Sequence, residues 1–295
     1  MMIRTLAVAS LLLLPLSALA AEPQCKFNEP RDLKLDLAGA KAVVFEVNQH
    51  DLVLVAGPGA PQLNGRACAS NADWLRQLTV TQQKVDGKLV VRLLREGRNP
   101  ITVGGNNYAY LDMRGSVPDN VLVQLKVGSG DASVTGVHSL SADVGSGDIK
   151  LQDIKGLVTA AIGSGDVILD GAGALNVLSV GSGDFKARNV RGNAKVGTIG
   201  SGDLTLDGVQ GNVALDTIGS GDADIRQVKG NVVIGNVGSG DVDLRAVTGN
   251  VSVERHGSGD VTARDVGGDL TVAHSGSGDV RHSGVGGRVQ LPRGK

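Results

Sequence analysis

The sequence predicts an all-β protein: a β-solenoid with two strands in each coil of about 19 residues. Three observations predict it. The tetrapeptide Gly-Ser-Gly-Asp occurs nine times, starting at Gly128, Gly145, Gly163, Gly181, Gly200, Gly219, Gly238, Gly257 and Gly276, at spacings of 17, 18, 18 and then 19 residues. Apolar residues recur at fixed places between the copies. Aromatic residues make up only 2% of the chain, and Phe185 is the single one from residue 128 onward.

The elements follow in order. Residues 1–20 read as a secretory signal peptide. Arg4 supplies the positive charge, Leu6 to Leu19 the apolar stretch and Ala18-Leu19-Ala20 the small-residue cleavage site. The apolar run is too short for a stable membrane span, and no second one follows. Cys25 follows Pro23-Gln24, which is no lipoprotein signal. The mature chain is therefore expected to be exported, periplasmic or at the cell surface, with no membrane span. In an oxidising compartment Cys25 and Cys68 are expected to pair, the alternative being two buried thiols. Such a bridge closes a loop worth about 3–4 kcal/mol.

Residues 21–127 read as irregular solenoid coils. Leu78 to Leu93 shows strand, Val-x-Gly turn and strand, the same grammar as the later repeats. Asn71 to Leu78 reads as a short helix capped by Ser70 or Asn71, with Trp74, Leu75 and Leu78 packing over the open end of the rod. Terminal units of solenoids need such a cap.

Residues 128–295 form the regular solenoid. With the first Gly of each tetrapeptide as position 0, positions 4, 6 and 9 are apolar, as in Leu204, Leu206 and Val209. Positions 13, 15 and 18 repeat the pattern, as in Val213, Leu215 and Ile218. Alternation marks a strand with one buried face, and the extra residue before the third apolar position marks a bend. Two corners separate the strands. One is Gly-Ser-Gly-Asp and the other x-Gly-Asn, where glycine is expected to supply positive φ and Asp or Asn to bond nearby backbone. Coils stack about 4.8 Å apart, and bulky aromatics are not expected to fit between such close sheets.

The repeat places Asp131, Asp148, Asp166, Asp184, Asp203, Asp222, Asp241, Asp260 and Asp279 in one column. Neighbouring charges one coil apart repel by about 1 kcal/mol in water. Backbone N–H groups or the Ser hydroxyl of the same corner relieve that; the alternative is a cation ladder, with calcium between coils. Asn193, Asn212, Asn231 and Asn250 read as a stacked amide ladder. At the far end the inward positions turn polar in His256, Ser275 and His282, which reads as an edge that resists end-to-end stacking, or as a metal site with a nearby Asp.

The alternating Gly-Ser-Gly-Asp and Val-x-Gly-Asn corners behind a signal peptide resemble bacterial adhesin domains with β-strand repeats. Ser70 to Val91 is similar to the head GIN domain of auto-transporter adhesins. The resemblance implies an envelope-associated or secreted repeat protein and brings no catalytic residues.

The function expected is a non-enzymatic, structural or adhesin-like surface with an envelope polymer or a protein as partner and no cofactor. The smooth second face, with Ala214, Val233, Ser252 and Thr271, is the contact surface expected for a partner. Net charge is −1, with no basic patch interleaved with aromatics, which argues against nucleic acid. Two rivals are kept. One is a polysaccharide-active β-helix enzyme using Asp224 and Asp243 on the first face. The other is a calcium-stabilised binding module.

Overall fold

The computed structural model describes residues 25–97 and 107–292. The signal peptide read at 1–20 lies outside the described residues. The fold is an all-β solenoid of two sheets stacked back to back, with strands running parallel from coil to coil.

The N-terminal part contains β1 (Phe27–Lys34), β2 (Ala42–Asn48), β3 (Asp51–Ala56) and β4 (Gln62–Ala69), then a 3₁₀ helix (Ala72–Gln77), β5 (Leu78–Val85), β6 (Lys88–Arg95) and β7 (Ala109–Val117). β8 (Leu122–Val127) and β9 (Ala132–Thr135) start the regular rod. β10 (Ser139–Val144), β11 (Ile149–Ile162), β12 (Val167–Val180), β13 (Phe185–Val190) and β14 (Ala194–Ile199) continue it. β11 and β12 each run through a corner and serve both sheets. Beyond β14 each coil is a pair of strands, ending at Val280–Val285 and Val289–Gln290.

Strands that follow Gly-Ser-Gly-Asp form the first sheet and strands that follow the Gly-Asn corner the second. The register within each sheet is in phase with the repeat: Leu206 opposes Ile225 and Ile225 opposes Leu244 on the first, Leu215 opposes Ile234 and Ile234 opposes Val253 on the second. These side chains point inward and are fully buried. Each buried Val, Leu or Ile contributes about 1.5–3 kcal/mol of transfer free energy, so every coil adds its own share of core. Phe185 is also fully buried, against the expectation that aromatics do not fit. Its own coil carries Ala187 and Ala194 at inward positions, which returns the volume that the ring takes.

The bend in the first sheet has a backbone cause. Position 8 lies in the left-handed region in every copy: Gly136, Asp153, Gly171, Asn189, Gly208, Gln227, Ala246, Asp265 and Gly284 all have φ between 53° and 85°. That residue is the extra one between the second and third apolar positions, and it turns the third back into the core. Glycine in the tetrapeptide has a different task. None of the tetrapeptide glycines has positive φ, and neither do Gly192, Gly211, Gly230, Gly249 and Gly268 of the other corner, which corrects the turn argument made from the sequence. A Cβ on Gly147, Gly202, Gly221 or Gly240 would instead land on the carbonyl oxygen of the equivalent glycine one coil below. The corner is glycine because backbone stacks directly on backbone.

The N-terminal coils depart from chain order. β2 and β3 lie between the β6–β7 layer and the β8–β9 layer. The chain then turns antiparallel at the end of the rod: β5 pairs with β6 on the second sheet, β4 with β7 on the first, and β1 with the outer edge of β4. Leu78 to Leu93 is therefore a hairpin and no solenoid coil. Its turn, Asp86-Gly87, has φ of 51° and 73°, the two-residue turn whose twist joins antiparallel neighbours. The 3₁₀ helix crosses from β4 to β5, hence from one sheet to the other, and buries Trp74 and Leu75 over the core. Asn71 is its N-cap, accepting from the Asp73 N–H at 2.9 Å. Arg31 ties β1 across this cap, donating to the carbonyls of Leu75 and Leu78 at 2.8 and 3.0 Å. Cys25 and Cys68 are disulfide-bonded and hold the start of β1 to β4. Among the described residues no helix is long and apolar enough to cross a membrane.

Two substitutions test this backbone account by urea denaturation. Gly221→Ala puts a methyl group into the Gly202 carbonyl and is expected to cost about 1–3 kcal/mol or more. Ala246→Gly, at φ 57°, relieves a left-handed alanine and is expected to add about 0.5–1 kcal/mol.

Candidate functional site

The column of aspartates is the most regular array of functional groups on the molecule. Each Asp begins its strand at an exposed corner, and its backbone N–H points toward the coil below. The N–H of Asp148 donates to Oδ1 of Asp131 at 3.0 Å, that of Asp166 to Asp148 at 3.0 Å and that of Asp184 to Asp166 at 2.9 Å. The series continues through Asp203, Asp222, Asp241, Asp260 and Asp279 at 2.7–3.1 Å. One oxygen of every carboxylate from Asp131 to Asp260 is thus held by the next coil, where the sequence had pointed to groups of the same corner. In the copies from Gly145 to Gly257 the Ser and second Gly both donate to the first Gly carbonyl of the coil below, as Ser220 and Gly221 do to Gly200 at 2.8 and 3.1 Å.

The column has a tenth member. Asp51, at the head of β3, accepts from the Asp131 N–H at 3.4 Å. Its corner, Asn48-Gln49-His50-Asp51, contains no glycine and is invisible to a search for the tetrapeptide. The signal lies in the flanks. Val43, Phe45 and Val47 stand at the same distances before Asp51 as Val123, Leu125 and Val127 before Asp131, and the first two pairs are in register. Without glycine, the His50 side chain is carried inward and is fully buried. Its Nδ1 accepts from the Leu111 N–H at 3.2 Å, so the proton sits on Nε2, which has no partner. Burial, with the Arg95 charge adding to it, brings its pKa down to about 4.

The Asn column on the opposite edge has the same geometry. The N–H groups of Asn212, Asn231, Asn250 and Asp269 donate to Oδ1 of Asn193, Asn212, Asn231 and Asn250 at 2.8–2.9 Å. The bonds therefore run from side chain to backbone and do not link amide to amide. Asp and Asn do the same work on the two edges, so the tie needs an acceptor oxygen and no charge.

The surroundings of the carboxylates differ along the column. Asp51 is raised, first by burial and then by the charges of Asp131 and Asp112, in spite of the N–H it accepts. Asp260 is lowered, first by the Asp279 N–H and then by Arg281. Asp184 pairs with Lys186 at 3.2 Å, and Arg281 bridges Asp260 and Asp279.

On the first face Asp224 and Asp243 lie in direct register, as do Arg226, Arg245 and Arg264. Asp224 is bonded by Arg226, and Asp243 accepts from Arg264 at 2.8 and 3.1 Å. The acids are thus held in a charged lattice. At the far end His256 is buried on the second sheet, with Nδ1 3.3 Å from the Gly259 carbonyl, while His282 is exposed on the first. The structure does not bring them together. Among the described residues no three His, Cys, Asp or Glu side chains converge as metal ligands.

Two measurements follow. Asp222→Asn is expected to leave stability within ~0.5 kcal/mol, while Asp222→Ala strands the Asp241 N–H and costs about 1 kcal/mol. His50 is neutral and buried in the folded chain and takes a proton first when unfolded. Stability is therefore expected to be intact above pH 6.5 and to fall as pH drops toward 4, by up to ~3 kcal/mol. Replacing His50 with Gln removes that slope in denaturation curves between these pH values.

No curated protein matches the chain. Comparison with solved structures finds chains that are similar over most of their length at low identity. A structure titled putative adhesin from Parabacteroides distasonis is 15% identical, over 90% of this chain and 97% of that one, with a TM-score of 0.46. One titled putative lipid binding protein from the same species is 16% identical over 90% and 97%, with a TM-score of 0.42. A putative adhesin from Parabacteroides merdae is 16% identical over 90% and 96%, with a TM-score of 0.43. The family model described as "Putative auto-transporter adhesin, head GIN domain" matches residues 148–262, within the regular repeats.

Proposed function

We propose that the chain is an exported, non-enzymatic β-solenoid that serves as a structural or adhesive surface in the bacterial cell envelope. The observation that carries this reading is the in-register repetition of outward groups, on the charged first face and not on the smooth second face that the sequence favours. Arg226, Arg245 and Arg264 stand one above another, with Asp224 and Asp243 beside them. The rod holds these groups at a fixed interval of about 4.8 Å, the spacing of neighbouring strands. An extended envelope polymer, or a protein sheet, meets such a surface over many weak contacts whose effects multiply. The disulfide between Cys25 and Cys68 supports residence in an oxidising compartment. Asp224 and Asp243 are each bonded by an arginine, which supports the binding reading over glycan cleavage, where both carboxyl groups must be free to meet the substrate.

Purified protein is expected to co-sediment with isolated envelope polymers or whole cells. Replacing Arg226, Arg245 and Arg264 together with Ser should weaken that binding at least about tenfold, equivalent to ~1.4 kcal/mol. Absence of binding to every envelope fraction sinks the adhesive half of the proposal. Turnover of an acidic glycan, lost in Asp224→Asn with Asp243→Asn, replaces it with the enzyme reading.

A further inference from the structure

The second face takes no part in the adhesive reading. From residues 175–180 of β12 it continues through β14 and the strands Val213–Ile218, Val232–Val237, Val251–His256 and Leu270–Ser275. Asn176, Lys195, Ala214, Val233, Ser252 and Thr271 form one outward row in register across these strands. Two large apolar side chains, Leu178 and Val233, lie open at 54% and 52%. The charged residues of these strands are Lys195, Asp216, Glu254 and Arg255, all exposed and two of each sign. Among the described residues none of the four forms an ion pair within the chain.

We propose that this face binds a second copy of the chain, the two rods packing sheet to sheet and antiparallel. The two-fold axis runs along the strands, between Val213–Ile218 and Val232–Val237. Each of these two strands then faces the other in the second copy, β14 faces Val251–His256, and β12 faces Leu270–Ser275. Large meets small: Val233 lies over Ala214 of the second copy, and Leu178 over Ala273. Opposite charges meet as well. Lys195 lies on the strand that faces Glu254. Arg255 is drawn over Asn236 by a bond of 2.9 Å, which carries its guanidinium onto the strand that faces Asp216 of the other copy. Symmetry makes each pair twice. An axis along the rod would instead set Asp216 and Glu254 against their own copies, so the charges select the antiparallel arrangement. The paired faces, about 29 Å by 20 Å, bury about 1,150 Å² over the two copies, above the roughly 1,000 Å² that a specific interface needs. Both first faces point away from the contact, and the inference stands whether or not they bind an envelope polymer.

Sedimentation equilibrium of the purified protein at low salt is the test. A monomer–dimer equilibrium is expected. Lys195→Glu sets like charges together and is expected to weaken the dimer at least about tenfold. Lys195→Glu with Glu254→Lys restores opposite charges and is expected to return the affinity to within about threefold of the parent, a rescue that loss of folding cannot give. Thr205→Glu, outward on the first face, is expected to associate as the parent does. The proposal is overturned by a monomer at every concentration up to about 1 mM, by a dimer that Lys195→Glu leaves unchanged, by a double variant as weak as the single one, or by loss of the dimer in Thr205→Glu.

Discussion

The structure depends on the stacking of one corner on the next. Two features of Gly-Ser-Gly-Asp make that stacking close enough for a parallel solenoid. Its third residue leaves no room for a Cβ above the carbonyl below, so the backbones meet directly. Its fourth residue reaches one coil along and accepts the next backbone N–H. The strands would otherwise begin with an unpaired donor at each corner, and a buried or half-buried N–H without an acceptor costs as much as a lost hydrogen bond. The opposite edge solves the same problem with Asn. Charge on the aspartate column is thus incidental to holding the fold, which frees the second oxygen of each carboxylate for contacts outside.

Both ends of the rod follow from this repeat unit. An open solenoid end exposes a sheet edge and an apolar core. At the N-terminal end the chain reverses direction, lays antiparallel strands on both sheets and bridges them with the Trp74 helix. At the other end the inward positions become Ser275 and His282, which are exposed, after the buried His256. Water then replaces the core without a covering element. One end is closed by structure and the other by polarity.

The solenoid, its two corners and its cap were legible because each rests on a local pattern repeated many times. Glycine at the corners was legible as a residue but not as a cause, since positive φ and a close backbone contact demand the same amino acid. The positive φ resides instead at position 8, where Gln227 and Ala246 give no compositional sign of it. The Leu78–Leu93 hairpin carried its signal openly in Asp86-Gly87 and was masked by its likeness to a coil. Asp51 was hidden because only its carboxylate survives from the tetrapeptide; the flanking alternation is what places it. The direction of the ladder bonds, from one coil to the next and not within a corner, depends on stacking that no single repeat encodes.

Backbone amide exchange at the ladder residues tests the central claim most directly. Asp148, Asp203, Asp222 and Asp241 are exposed, and exposed loop amides exchange quickly unless they are bonded. Protection of these amides equal to that of the neighbouring strand interiors, such as Ile225 and Leu244, is the predicted result. Exchange at the rate of a free surface loop would contradict it and would leave the corners as mere turns between strands.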